Sequence, residues 1–234
     1  MSANHAAFNL IFRFVENYIS PIAGRISSQR HVMAIRDGFI SAMPFMIVGS
    51  FLLVFAYPPF SPDTTWGFAR AWLDLAKEFE GRILTPFDMT MGIMSIYICA
   101  AISYNLGKHY EKSNQLDPFM CAMLSIMAFL LIAAPKTNGT LPVDSLGGTG
   151  IFTAILVAIY CVEMMRFLKA HNIGIRLPDQ VPPMIKNSFD LLIPVLVVVL
   201  TLYPLSLFIQ HHFDMLIPQA IMALSLIHIS EPTR

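Results

Sequence analysis

The sequence predicts an all-α polytopic membrane protein: about five transmembrane helices, an amphipathic helix at the N-terminus, and a second amphipathic helix before the fifth span. Three observations carry this. Of the 234 residues, 56% are hydrophobic and 13% charged, and the mean hydropathy is +0.62, which leaves too little polar surface to solvate a globule. The apolar residues gather into runs close to the length a lipid-crossing helix needs, about 20 residues. Those runs lack strict alternation, and backbone groups in lipid must be satisfied internally, so helices are expected and a β-barrel is not.

In chain order, Phe8, Ile11, Phe12, Val15, Ile19 and Ile22 share one helical face, with Asn9, Arg13, Glu16, Asn17 and Ser20 opposite. That pattern suits a helix resting on the membrane surface. Arg25, Arg30, His31 and Arg36 then make a basic approach to the first span, so residues 1–36 read as a cytoplasmic amphipathic helix and linker. Spans are expected at about 39–57, 87–106, 119–134, 151–167 and 191–209. The third is the shortest, and Asp117 and Pro118 offer it a capped start. The segment 58–86 reads as an external loop with Trp66 and Trp72 near the interface, and 136–150 as a second external loop. In the latter, Gly147, Gly148, Thr149 and Gly150 read as a tight re-entry turn, because a phosphate loop would need a following Lys-Ser/Thr and a preceding strand. The first apolar run carries Arg13 and Glu16, so insertion is expected to use uncleaved spans.

Lys and Arg in the flanks set the orientation. With the N-terminus inside, ten fall on inside segments (Arg13, Arg25, Arg30, Arg36, Lys108, Lys112, Arg166, Lys169, Arg176, Lys186) and four outside (Arg70, Lys77, Arg82, Lys136). The N-terminus is therefore expected to be cytoplasmic.

Candidate chemistry is sparse. Cys99, Cys121 and Cys161 lie inside apolar runs without metal-ligand spacing and read as reduced, structural thiols. Glu163 is the one acid well inside an apolar run, where an ionisable residue raises a functional question. Its three-residue spacing from Arg166 favours a helical ion pair instead. His211, His212 and Asp214 read as interfacial residues: neighbouring histidines diverge on a helix, and no second ligand cluster accompanies them, so no metal is expected. Asn138-Gly139-Thr140 matches a glycosylation sequon and carries little weight. The zero formal net charge hides a strong asymmetry along the chain, which matters more than the total and gives no sign of a basic nucleic-acid-binding domain.

Ahead of the fifth span, Val181, Met184, Ile185, Phe189 and Leu192 recur at helical spacing with Lys186, Asn187 and Asp190 opposite, and Pro182 and Pro183 suit a first turn. The same stretch contains Pro178, Asp179, Val181, Pro182, Pro183, Ser188, Phe189, Leu192, Ile193 and Pro194. This motif resembles the signature of the IIC permease subunits of bacterial sugar phosphotransferase systems, in the lactose, cellobiose and diacetylchitobiose family. Two shorter stretches, His31–Pro44 and Met91–Ser95, resemble that family in the same order.

The resemblance implies a permease in the bacterial inner membrane, importing a β-linked disaccharide with concomitant phosphorylation, with IIB and IIA subunits as partners and a homodimer as the assembly. It implies that residues 37–223 form the N-terminal scaffold and dimerisation part of the IIC domain. The phosphoryl-carrying cysteine then belongs to IIB, and the sugar-binding and catalytic residues to a C-terminal half. No catalytic, sugar-binding, cofactor-binding or metal-binding residue is expected in this chain. The tail 224–234, LSLIHISEPTR, fits neither the family pattern nor a helix end and reads as a non-native read-through peptide on an inactive N-terminal fragment. A fragment of an unrelated secondary transporter, or a scaffold without transport activity, are the other classes the sequence permits.

Overall fold

The structure, a computed structural model, describes residues 16–17, 20–135, 142–175 and 189–230, together with 178, 180, 182 and 185. The described helices are α1 (Ser20–Ser27), α2 (Arg30–Ala56), α3 (Gly67–Asp88), α4 (Met94–Asn114), α5 (Pro118–Ala133), α6 (Ile151–Ala170, entered through a 3-10 turn at Gly148–Gly150), α7 (Leu192–Phe213) and α8 (Ile217–Ser230).

α4 is the centre of the bundle, packed against α2, α5 and α6. Its buried residues Ser95, Ile98, Cys99, Ile102, Leu106 and Tyr110 recur every three or four positions, so one broad face is covered by protein. Opposite it stand Cys121, Leu124, Ala128, Phe129 and Ile132 of α5 and Ala154, Val157, Ala158, Cys161 and Val162 of α6. α2 runs antiparallel to α4: Gly38 faces Ile102, and Phe45 stacks on Tyr97 with ring centroids 4.3 Å apart. Ala34, Gly38 and Ala42 line the buried side of α2 four residues apart. Small residues at this spacing let two helices approach closely where no hydrophobic drive exists in lipid. At Gly38 the approach is complete, since a Cβ there would overlap Ile102 Cγ1 and come within 2.9 Å of the Ile102 backbone nitrogen.

Asp117 caps α5 by accepting from the backbone N–H groups of Phe119 (2.9 Å) and Met120 (3.3 Å), with Pro118 in the first turn. The expected capped start is therefore present. At the far end, the first turn of α4 docks on the loop before α6: Ser95 N–H donates to Leu146 O at 2.9 Å, and the Ser95 hydroxyl donates to Gly147 O. Gly150 sits so close to the Ser145 carbonyl and the Phe129 ring that a side chain would not fit, which ties the 3-10 turn to glycine.

The expected count of about five spans with two flanking amphipathic helices is corrected. Among the described residues, three helices are long and apolar enough to cross a membrane: α2, α6 with its 3-10 turn, and α7. The expected second span, 87–106, is broken where α3 ends at Asp88 and a turn precedes Met94, with Gly92 N–H returning to Phe87 O at 3.2 Å. The helix that follows is displaced toward its polar end and includes Lys108, His109, Glu111 and Lys112. Its Ile98, Cys99, Ile102, Leu106 and Tyr110 are covered by neighbouring helices, while Tyr104 is 44% exposed. The expected third span is an apolar helix of 16 residues, shorter than a crossing requires. The expected loop 58–86 instead contains the 22-residue helix α3, packed on α2. Most of the two expected amphipathic helices, in 8–22 and 178–191, lies outside the described residues, as do Lys136 and Asn138.

Candidate functional site

The start of α2, the end of α4, the end of α6 and the residues before α7 meet at one end of the bundle. Glu163 is their common point. Its Oε1 accepts from Tyr110 Oη at 2.8 Å and lies 3.0 Å from His31 Nε2, while its Oε2 pairs with an Arg166 guanidinium nitrogen at 2.8 Å. The same Arg166 nitrogen donates to the Tyr110 hydroxyl at 3.3 Å. Both Arg166 and Arg30 carry their guanidinium carbon near the Tyr110 ring, 4.6 and 5.4 Å from its centroid. These distances suit cation–π attraction, and the ring thereby joins α2 to α6.

One turn on, Lys169 donates to the Gln115 carbonyl at 2.7 Å and lies 3.5 Å from Asp190 Oδ2. Gln115 adopts a left-handed conformation, φ 53°, at the C-terminus of α4, which exposes that carbonyl to the lysine. The Tyr110 phenol is pushed above its ordinary value, first by burial, then by its hydrogen bond to Glu163 and the charge of that carboxylate.

This arrangement binds helices together. Both carboxylate oxygens of Glu163 are engaged by partners from this chain. The helical ion pair expected from the Glu163–Arg166 spacing is present. His31 and Tyr110 were not legible as its partners, because they lie 132 and 53 residues away. The usable signal was weak: His31 opens the His31–Pro44 stretch, and Tyr110 closes the apolar face of α4.

Cys99, Cys121 and Cys161 are all buried. A phosphoryl-accepting thiolate must be reachable, and these three are covered by protein. His211 and His212 occupy the last turn of α7, with their rings 5.3 Å apart and nearly perpendicular, and Asp214 takes the C-cap. Of the signature residues, Asp179, Val181, Pro183 and Ser188 lie outside the described residues, and Pro178, Pro182 and Phe189 are exposed. Leu192, Ile193 and Pro194 open α7, where a proline ring is tolerated because the N–H groups of a first turn have no helical partner.

The family model for the phosphotransferase system EIIC domain matches residues 36–233. This chain belongs to the EIIC family. Among curated proteins, the EIIC chain is 35% identical over 206 residues to the "PTS system cellobiose-specific EIIC component" of Geobacillus stearothermophilus, an alignment covering 80% of this chain and 43% of that protein. It is 30% identical to the "Lichenan permease IIC component" of Bacillus subtilis (strain 168), over 86% of this chain and 46% of the relative. It is 33% identical to the "PTS system lactose-specific EIICB component" of Streptococcus mutans, over 81% of this chain and 33% of the relative. Among solved structures it resembles the crystal structure of the transporter ChbC, the IIC component of the N,N'-diacetylchitobiose-specific phosphotransferase system. The TM-score is 0.77 at 32% identity, covering 93% of this chain and 52% of that one. The EIIC chain thus spans less than half the length of the curated relatives described.

Proposed function

We propose that this chain is the N-terminal scaffold part of a sugar permease that imports a β-linked disaccharide such as cellobiose, diacetylchitobiose or lactose and delivers it for phosphorylation. The observation that carries the reading is the family match over residues 36–233, joined to the fold likeness to ChbC. The named relatives act on cellobiose, lichenan and lactose, which supports a β-linked substrate class.

In this reading the described helices hold the position of a sugar site that lies in a C-terminal half. Two buried hydroxyl groups of the bundle fit that division, while that of Thr153 is buried without a partner among the described residues. Ser103 donates to the Cys99 carbonyl at 2.6 Å and Ser125 to the Cys121 carbonyl at 2.9 Å, so these hydroxyls serve their own helices. A disaccharide left without partners would lose on the order of 1–3 kcal/mol for each buried hydroxyl. The phosphoryl donor is a IIB subunit, itself charged by IIA, and the permease works as a homodimer.

The end bearing Arg30, Arg166 and Lys169 faces the cytoplasm, following the excess of Lys and Arg there.

The test is a chimera joining residues 1–223 to the C-terminal half of the Geobacillus cellobiose component. With phosphoenolpyruvate and the soluble phosphotransferase proteins, the chimera is expected to phosphorylate cellobiose, and the 234-residue chain alone is not. Calorimetric binding of cellobiose, lactose or diacetylchitobiose by the chain alone at millimolar concentration or below would place the sugar site in this chain and overturn the reading.

A further inference from the structure

α3 has three distinct sides. Ala69 and Ala76 are buried, with Leu73 beside them, and seat the helix on α2. Phe68, Trp72, Leu75 and Phe79 follow at intervals of four, three and four residues and share one flank. Arg70, Asp74, Lys77 and Glu78 share the opposite flank. Arg82 borders the apolar flank with its guanidinium carbon 5.6 Å from the Phe79 ring centroid, and its long side chain can carry the charge out to water. A helix seated on its own protein, with one apolar and one charged flank, has the form of an element lying along a membrane surface.

Its height is set by α2. Trp72 Nε1 donates to the Phe55 carbonyl at 3.2 Å, and Tyr57 Oη donates to Glu80 at 2.9 Å, so α3 sits at the C-terminal end of a helix long and apolar enough to span. The aromatic rings run on without a break: Phe55 to Trp72 at 5.6 Å, Trp72 to Phe68 at 5.9 Å, Phe68 to Trp66 at 5.4 Å, with Phe60 5.7 Å from both tryptophans. Phe51 and Phe55 of α2 are 63% and 54% exposed, and Phe68 and Leu75 of α3 are 61% and 54% exposed. The apolar surface of the spanning helix therefore continues onto the flank of α3. Tryptophan is enriched at this level of a bilayer, where its ring meets acyl chains and its N–H meets polar groups.

We infer that α3 is an interfacial helix whose Phe68–Trp72–Leu75–Phe79 flank is embedded in the bilayer at the boundary between headgroups and acyl chains, while Arg70, Asp74, Lys77 and Glu78 face water. The occupant of the flank is lipid. A second copy of the chain is the competing occupant. The inference rests on the membrane reading of the fold and is independent of the sugar.

The test uses the fact that the chain has two tryptophans, Trp72 in α3 and Trp66 at its N-cap. The 234-residue chain is reconstituted into phosphatidylcholine vesicles as Trp66→Phe and as Trp72→Phe, each leaving a single reporter. Co-flotation with the vesicles is read first, so that failure of the membrane reading is seen separately. Lipid brominated near the glycerol end of its acyl chains is expected to quench emission most strongly, at the depth where an interfacial helix buries its apolar face. Bromine near the methyl end should quench less, and aqueous iodide should quench weakly. Strong iodide quenching with no effect of brominated lipid would put the flank in water and overturn the proposal. Insensitivity to every quencher would mean that protein covers the flank, and stronger quenching by the methyl-end bromines would mean immersion in the bilayer core. Either result overturns it too.

Discussion

Glu163 and His31, 132 residues apart in sequence, meet at 3.0 Å and close one end of the bundle. The same carboxylate holds Tyr110 and Arg166, so a single side chain ties α2, α4 and α6 together.

Glu163→Gln is expected to lower the melting temperature in mild detergent, at a cost of about 1–2 kcal/mol. That is less than a fully buried pair would lose, because about 32% of the Glu163 side chain is exposed. His31→Gln should lose less, and the double variant should lose less than the two added, since they share one bond. Strict additivity in a thermal-shift cycle would show that the two residues do not interact.

Tyr110 gives a pH dependence of definite sign. Its phenol is raised in the folded protein by burial and by Glu163, so the folded state holds that proton more tightly than the unfolded state. The contribution is full below the ordinary tyrosine value, about pH 10, and is lost as pH rises through the folded value. Tyr110→Phe should therefore be less stable than the parent near neutrality, with the gap closing on alkaline titration. A gap that widens above pH 10 would reverse the assignment.

Gly38→Ala places a methyl group against Ile102, side chain and backbone both, and should destabilise by about 1–3 kcal/mol. Ile102→Val in the same chain should rescue it only in part, because the backbone nitrogen at 2.9 Å remains. Gly24→Ala in α1, which meets nothing within 4 Å, is the control and should be neutral or mildly stabilising. Equal melting curves for the two alanine variants would mean that α2 and α4 are not in close contact.

Asp117→Ala removes the acceptor for the first N–H groups of α5 and should cost about 1 kcal/mol, with Asp117→Asn retaining most of the cap. Amide exchange at Phe119 and Met120 is the direct readout. Unchanged protection there in Asp117→Ala would show that the cap does not hold the helix start.

Single cysteines introduced at Lys112, Lys169 and Lys77 test the proposed orientation, the native cysteines being buried. In inverted and right-side-out vesicles, an impermeant thiol reagent should reach 112 and 169 from the cytoplasmic side and 77 from the other. Labelling of 112 and 77 from the same side would overturn it.

The sequence by itself determined the class of protein, through an apolar excess that water does not tolerate. It also determined the features set within a few residues: the Asp117 cap before Pro118, the Glu163–Arg166 pair at helical spacing, and the membership carried by the motif from Pro178 to Pro194. Only the tertiary structure decided what each apolar face meets. Hydropathy measures how much apolar surface a stretch carries, and lipid and protein satisfy that surface equally well. Ile98, Ile102 and Leu106 therefore counted toward a span, while in the fold they are covered by α2, α5 and α6. Phe68, Trp72 and Leu75 went unread as a helix because Arg70, Asp74, Lys77 and Glu78 dilute them in any window, and it takes the seat of Ala69 and Ala76 on α2 to separate the two flanks. The partners of Glu163 were hidden for a related reason: His31 and Tyr110 reach it only once α2 and α4 run antiparallel, and that registry is set by small residues such as Gly38 fitting a neighbour the sequence does not name.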